Sequence, residues 1–356
     1  MTTLARLVEV HRLAVAGQEP AIAQDIGHLV SRIWLRRSRF ADVAALANAT
    51  LTLGPNAGAF YDLGWAQSST GHPQQALASF EQALDLYREA GRRDNVAATL
   101  ANMGVVYDKL GDGERAMAYY EEALPIAREV GDRAGEATAL SNIGLLHDRL
   151  GDRQQAMAYY EQSLSIRQEH GDRAGDATTL SNIGAVHSAL GDREQALAFF
   201  EQALSIQREI GDRVGEATTL SNIGAVHSAL GDREQALVFF EQALSIQREY
   251  GDRAGEATTL NNIGLAYREL GDRKRAMAYY EQALPITQRV GDRAGEAVTR
   301  YNIGMLYREE GHLDQAIGEL ELVVDLDRQV GHPDLASDTL VLEQVRKERA
   351  EARDTT

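Results

Sequence analysis

The sequence predicts an all-α fold, a right-handed superhelical solenoid of antiparallel helix pairs. Three features of the 356-residue chain support this prediction. Glycines recur every 20 residues from Gly71 to Gly331, the apolar residues between them follow helical spacing, and two such segments form a unit that repeats every 40 residues. No segment alternates with period two over a useful length, so we expect no strands.

Each predicted helix is bounded by a glycine and, in most cases, an aspartate, as at Gly131-Asp132. Glycine adopts the left-handed backbone conformation that ends a helix, and the following Asp accepts hydrogen bonds from the first free amides of the next helix. At Gly331-His332-Pro333 a proline takes the first helical position, where its missing N–H costs nothing. We therefore expect helices of about 17–18 residues joined by tight turns.

The 40-residue unit repeats without insertion. Residues 177–216 and 217–256 differ at only three positions. A single helix pair cannot bury both of its faces, so the units must stack, each contacting only its neighbours.

The unit carries a recognisable signature, Leu140-x2-Ile143-Gly144-x2-His147 followed by Ala156-x3-Tyr160. Four further copies begin at Leu100, Leu180, Leu220 and Leu260, and weaker copies begin at Phe60 and Arg300. This pattern resembles the tetratricopeptide repeat (TPR) over about residues 57–336. The 40-residue period is similar to that of Pins-type adaptors, kinesin light chains and bacterial peptide-sensing regulators. The resemblance implies a TPR-like solenoid that binds peptides.

The chain divides into three predicted regions. Residues 1–56 form a degenerate N-terminal helical repeat, residues 57–336 form seven 40-residue TPR-like repeats, and residues 337–356 form a C-terminal capping helix and tail. The final helix is expected to turn Leu335, Leu340, Leu342 and Val345 inward, because solenoid ends need a covered apolar face.

Composition limits the partners. The chain has 36 basic and 53 acidic residues and a net charge of -17, with a slight positive excess confined to residues 1–56. The acidic remainder repels phosphate backbones and anionic lipids, so we expect neither nucleic acid nor membrane as a partner. No apolar stretch approaches the roughly 18 residues of a membrane span, and the N-terminus has no signal-peptide core, which favours a cytoplasmic location. With no cysteine, thiolate metal sites are excluded.

One asparagine recurs in register on the first helix of each predicted pair. The residues are Asn102, Asn142, Asn182, Asn222, Asn262 and Asn302. Asparagine is unfavourable inside a helix, by about half a kcal/mol relative to alanine, so its recurrence needs a reason. Its amide offers a donor and an acceptor that match the backbone of an extended peptide, and the resemblance implies the same role. Two alternatives remain: each Asn bonds to a neighbouring repeat, or duplication copied it passively.

Two further rows line the same predicted surface. Ser181 and Ser221 belong to the first, and Arg268 and Arg308 belong to the second. We include all four among the predicted peptide-binding residues. The two arginines predict that an acidic stretch of a ligand prefers their end of the groove. The alternative is that these are solvated helix residues.

The sequence offers no catalytic constellation. His147, His187 and His227 occupy the position that tyrosine takes in sister repeats, which predicts packing between helices. Helices pack about 8–10 Å apart, so rings one repeat apart cannot share an ion that needs bonds of about 2 Å. No phosphate-binding loop or nucleophile elbow is present. We predict no enzyme activity, no metal and no cofactor; a hydrolase with its site in the groove is the weakest hypothesis.

The leading hypothesis is therefore a non-enzymatic scaffold or adaptor that binds an extended or helical peptide segment of another protein. The alternative is a regulatory sensor arm of a signalling system, working with an ATPase or a DNA-binding partner. Self-association is possible because nearly identical repeats can pair with one another.

Overall fold

A computed structural model describes residues 3–35, 37, 39–330 and 332–354 of the chain. Over these residues all regular structure is helical, in 18 helices with no strand, which confirms the predicted all-α fold class. The helices are Thr3–Ala16 (α1), Pro20–Leu35 (α2), Phe40–Leu51 (α3), Ala57–Ser69 (α4), Pro73–Glu89 (α5), Arg93–Lys109 (α6), Gly113–Val130 (α7), Arg133–Arg149 (α8), Arg153–His170 (α9), Arg173–Leu190 (α10), Arg193–Ile210 (α11), Arg213–Leu230 (α12), Arg233–Tyr250 (α13), Arg253–Glu269 (α14), Arg273–Val290 (α15), Arg293–Glu309 (α16), Leu313–Val330 (α17) and Leu335–Asp354 (α18).

The chain forms two compact units, Met1–Asp172 and Arg173–Thr356. In the first unit, α4/α5, α6/α7 and α8/α9 are tightly packed antiparallel pairs that follow α1 to α3. In the second unit the pairs are α10/α11, α12/α13, α14/α15 and α16/α17, followed by α18. The three-region division drawn from the sequence stays a prediction.

Most of the helix boundaries form as predicted. Gly131 ends α7 in the left-handed conformation, with φ 72°, and Asp132 begins α8 by accepting a 2.9 Å hydrogen bond from the Gly135 N–H. The Asp232 side chain makes no such bond. The predicted glycine turn at Gly331 lies outside the described residues. Pro333, predicted to take the first helical position, instead lies in a turn two residues before α18, which begins at Leu335.

The two helices of a pair approach closely where a glycine faces a buried ring. A Cβ atom built on Gly224 of α12 would lie 2.7 Å from two ring carbons of Phe240 on α13, whose side chain is fully buried. Real Cβ atoms do not come so near, so only glycine permits this contact. The same relation recurs between Gly104 and Tyr120 and between Gly264 and Tyr280. Glycine at this position therefore sets how close the paired helices lie.

The repeated histidines pack between helices, as predicted. Each ring stacks on an aromatic ring of the partner helix, with centroids 5.3–5.4 Å apart and planes within 12° of parallel. The stacked pairs are His147–Tyr159, His187–Phe199 and His227–Phe239. Tyr107 and Tyr267 stack in the same way in their own pairs. An aromatic platform, rather than a metal or a base, explains the residue type at this position.

Consecutive pairs are joined by a buried carboxylate between two arginines, which the sequence analysis did not foresee. Glu256 has 5% of its side chain exposed, and it accepts hydrogen bonds from Arg248 of α13 at 2.8 Å and from Arg253 at 2.6 Å. Burial alone would raise the pKa of Glu256, but the two arginines outweigh it and hold that pKa below its ordinary value. Glu136 and Glu216 each accept hydrogen bonds from two arginines at the equivalent positions.

The inward face of the last helix differs in part from the prediction. Leu342 and Val345 of α18 are buried against α17, and Leu335 is half-buried. Leu340, predicted to face inward, is 56% exposed. The helical pattern that places Leu342 and Val345 against α17 turns position 340 toward solvent, because residues two apart do not share a helix face.

We expect Gly224→Ala to destabilise the protein and Gly304→Ala to have little effect. At Gly224 the added methyl group collides with the buried Phe240 ring, and overpacking of this kind costs about 1–3 kcal/mol. At Gly304 the nearest atom is Leu320 Cγ at 3.3 Å, and the gain of up to ~1 kcal/mol in helix propensity offsets the strain. Thermal unfolding followed by circular dichroism measures both. Equal shifts in the two variants would contradict the steric explanation.

Candidate functional site

The first helix of each pair faces the inside of a curve in both units. In the first unit α2, α4, α6 and α8 contact one another in succession, and in the second unit α10, α12, α14 and α16 do so. The second helices of the described pairs make no comparable contact with each other. Each stack therefore bends toward its first helices, which we call the inner helices, and their shared surface is the inner face.

The asparagine row lies on this inner face. All six residues are half-buried, so each amide is partly open to solvent. Asn102 donates a 2.8 Å hydrogen bond to the Tyr61 hydroxyl of the preceding inner helix. The side chains of the other five, Asn142, Asn182, Asn222, Asn262 and Asn302, make no hydrogen bond to any residue that the structure describes.

Residue identity explains why Asn102 differs. Its partner Tyr61 stands one position before the asparagine register in α4, and its hydroxyl is long enough to reach the next inner helix. Side chains shorter than tyrosine occupy the matching place one repeat before each of the other five asparagines, namely Ala101, Ser141, Ser181, Ser221 and Asn261. A bond between neighbouring repeats therefore accounts for one asparagine of the row, and the peptide-binding role of the other five stays a prediction.

The serine row connects neighbouring inner helices. Ser181 Oγ lies 3.1 Å from Thr219 Oγ1, and Ser221 Oγ lies 3.0 Å from Thr259 Oγ1. Further along the same row, Asn261 Nδ2 donates to Thr299 Oγ1 at 2.8 Å. These hydroxyls already hold consecutive pairs together. A ligand can use only the hydrogen-bonding capacity that remains on Ser181 and Ser221.

The predicted arginines are also engaged. Arg268 Nε donates to Glu309 at 2.8 Å, and Arg308 Nε donates to Glu348 at 3.0 Å. In the first unit the opposite order occurs, with Arg149 paired to Asp108. Arg149 and Arg268 each pair with a neighbouring inner helix and Arg308 pairs with α18, so an acidic ligand must compete with a carboxylate that is already in place.

The asparagine register has a seventh member that the sequence analysis missed. Asp62 stands 40 residues before Asn102, on α4, and its side chain is 4% exposed. The residue type changes from asparagine to aspartate at this position, but the 40-residue spacing alone identifies Asp62. Its nearest charged neighbour is His28 on α2, with Nδ1 3.7 Å from Oδ2, and Asp62 raises the pKa of His28.

Cavities recur at equivalent places between consecutive pairs. One of 270 Å³ lies beside Asn102 and Thr138, and one of 330 Å³ opens beside Asp62 and Tyr87. A third, of 370 Å³, lies beside Asp327 in the second unit. All three are lined by the inner helix of one pair and by the first residues of the element that follows that pair. They are therefore equivalent cavities lined by different residues.

The cavity beside α18 is lined by three carboxyl groups, those of Asp327, Asp334 and Asp338. Asp327 is 1% exposed, and its Oδ2 makes no hydrogen bond to the described residues. Burial, together with the neighbouring Asp327, raises the pKa of Asp338 to about 6. His332 completes the group, with Nδ1 4.0 Å from Asp327 Oδ1 and 3.8 Å from Asp334 Oδ2.

Neither a metal centre nor a membrane span is visible in the described residues. No group of three or more His, Asp or Glu side chains among them is arranged to hold a metal ion. None of the described helices combines the length and the apolar character needed to cross a bilayer.

Models of the tetratricopeptide repeat match residues 57–89, 95–169, 175–249, 215–289 and 255–329, well over half of the chain. A search of curated proteins finds no match. Among solved structures, BtubC (BKLC) from P. vanneervenii is 25% identical, with a TM-score of 0.53 over 62% of this chain and 92% of that chain.

Two other structures share the fold over nearly the whole chain. The apo form of the quorum sensor NprR from B. thuringiensis is 15% identical, with a TM-score of 0.68 over 91% of this chain and 97% of that chain. A STAND signal-transduction ATPase with a tetratricopeptide repeat sensor, from Pyrococcus horikoshii, is 13% identical, with a TM-score of 0.65 over 99% of this chain and 52% of that chain. At these identities the likeness shows the fold alone.

We expect the C-terminal cap to lose stability as the pH rises through 6. The folded state holds the Asp338 proton more tightly than the unfolded chain does, whose Asp pKa is about 3.9. Stability from this proton is complete below the unfolded value and is lost through the folded value. Unfolding midpoints measured at pH 5 and pH 7.5 should differ more in the wild type than in Asp338→Asn.

Glu343→Gln is the matched control, because Glu343 is an exposed carboxylate on the same helix. It should keep the wild-type pH dependence. An unchanged pH dependence in Asp338→Asn would contradict the assignment.

Proposed function

The chain belongs to the tetratricopeptide repeat family, and on that premise we propose that it is a non-enzymatic scaffold whose inner face binds an extended segment of another protein. The observation that carries the proposal is the row of partly exposed asparagines. Five of the six keep both donor and acceptor unused among the described residues. A polar group is rarely left in this state on a packed helix face unless water or a ligand satisfies it.

The spacing of the row suits an extended backbone. In the second unit one amide stands on each of four successive inner helices, at Asn182, Asn222, Asn262 and Asn302. Packed helices lie about 8–10 Å apart, and an extended peptide advances about 3.3 Å per residue. Successive amides therefore meet about every third residue of the ligand. Because an amide pairs with N–H and C=O alike, binding depends little on the side chains of the ligand.

The remaining predicted residues modify how the inner face binds the peptide. Ser181 and Ser221 lie beside the asparagines and keep at least one lone pair each after bonding to the neighbouring threonines. Arg268 and Arg308 bind an acidic ligand side chain only by exchanging it for Glu309 or Glu348. Such an exchange contributes specificity more than affinity, because one ion pair replaces another.

A sensor arm for an ATPase is the second candidate. The P. horikoshii structure is described as an ATPase with a tetratricopeptide repeat sensor, and this chain is similar to it over 99% of its own length. As a sensor arm, the chain still binds the peptide on its inner face, and peptide binding changes the state of a partner protein. Co-purification of an ATPase with the intact chain from its native cytoplasm would favour the sensor over the scaffold.

We expect the double substitution Asn182→Ala and Asn222→Ala to weaken binding of an inner-face ligand about tenfold or more. Each lost hydrogen bond contributes about 1 kcal/mol. The ligand is first captured by the intact protein from native cytosol and mapped to a segment. That segment is then titrated by calorimetry against the wild type and the variant.

Gln202→Ala with Gln242→Ala is the control, because both glutamines are exposed on second helices. This control should bind like the wild type. If the asparagine variant also binds like the wild type, the ligand does not use the row and the proposal is wrong.

A further inference from the structure

We propose that the 330 Å³ cavity beside Asp62 in the first unit is a binding site for an ammonium group, carried by an amine, a lysine side chain or a peptide N-terminus. The cavity is enclosed by α2, α3, α4, the end of α5 and the start of α6. The proposal goes beyond backbone recognition by the asparagine row, and it depends on residues that the row does not include.

The Asp62 carboxylate is the main reason. Only 4% of its side chain is exposed, and it lines the cavity. Neither oxygen makes a hydrogen bond to a described residue, and the closest charged atom is His28 Nδ1 at 3.7 Å, beyond hydrogen-bond range. A buried carboxylate normally has hydrogen-bond partners or a neutralising cation, because burying a bare charge costs several kcal/mol. A bound cation supplies both.

Two further acceptors face the same space. Asn95 lines the cavity from α6, and its Oδ1 is buried without a hydrogen bond among the described residues. Tyr87 lines it from α5, and burial raises the pKa of Tyr87 to about 12, so its hydroxyl stays neutral and can accept a hydrogen bond. An ammonium group has three donors and no acceptor. Asp62, Asn95 and Tyr87 together offer the complementary set.

The charges around the cavity favour a cation. Asp62 on α4 and Asp25 on α2 contribute negative charge. The one arginine of the lining, Arg92, lies 3.5 Å from Asp94 and is balanced by it. His28 carries charge only when protonated, and it is more than half exposed at the rim. An anionic ligand would meet Asp62 without a free cation to offset it, so anions are disfavoured.

The equivalent cavity one pair later lacks this chemistry. Asn102 stands where Asp62 stands, Ala127 takes the place of Tyr87, and the neutral amide of Asn102 is already bonded to Tyr61. The nearest carboxylate there, Asp132, caps α8 by binding the Gly135 N–H. Of these two cavities, only the first therefore has a carboxylate at this position. The comparison also supplies a test variant, because Asp62→Asn gives α4 the residue that its sister helices carry.

The test titrates the full-length protein with small probes and follows binding by saturation-transfer NMR. The probes are n-butylammonium, Nα-acetyl-lysinamide and alanyl-glycinamide, which present a free amine, a side-chain ammonium and a terminal ammonium. Pentan-1-ol, with a similar shape and no charge, is the neutral control. We expect at least one ammonium probe to bind and pentan-1-ol not to compete with it. The strongest of the three probes identifies the source of the ammonium group.

Asp62→Asn should weaken that probe at least tenfold, whereas Asp85→Asn should leave its affinity unchanged. Asp85 is an exposed carboxylate on α5 outside the cavity, so the two variants change the net charge equally. Binding by none of the probes, equal binding of pentan-1-ol, or equal losses in both variants would overturn the proposal. Circular dichroism of Asp62→Asn verifies that the helices remain. Because the readout uses no protein partner, its failure is distinct from failure of the asparagine row to bind a peptide.

Discussion

The contact between a glycine of the inner helix and a buried ring of its partner helix determines the geometry of the pairs from α4/α5 to α14/α15. At Gly224 and Phe240 the backbone comes so close to the ring that no side chain fits between them. This approach aligns the histidine or tyrosine one turn later with a second ring, as in His227 and Phe239. The distance between the two helices of a pair, and so the position of the inner helix, depends on this contact.

Two adjacent positions on the inner helices have separate tasks. At the position before the asparagine, Ser181 and Ser221 bond to threonines of the next inner helix, which holds consecutive pairs in register. The asparagine itself is left with unused hydrogen-bonding capacity in five of six repeats. Because the serines fix the register, the asparagines need not do so. This division of tasks is the physical basis for treating the asparagine row as a binding surface.

Local rules predict the helices, their ends and the pairing, because caps, turns and periodicity act within a few residues. They also predict that His187 packs between helices, since sister repeats carry tyrosine there, but not that it stacks on the Phe199 ring. They do not predict contacts across pairs, such as Arg268 with Glu309 or the arginines around Glu256, because those depend on how far one pair is rotated against the next. Asp62 is not predicted for a different reason. At the first pair, aspartate replaces the asparagine that defines the row in the later pairs.

The near-identity of residues 177–216 and 217–256 has an evolutionary consequence. The bonds from Ser181 to Thr219 and from Ser221 to Thr259 join the same two repeat positions at successive junctions. Unequal crossing-over that removes or adds one 40-residue module in the gene would recreate the same bonds at the new junction. Such an event changes the number of amides by one and the length of ligand they span by about three residues, without requiring a compensating mutation. Ligand length can thus evolve in discrete steps, ahead of any change in ligand chemistry.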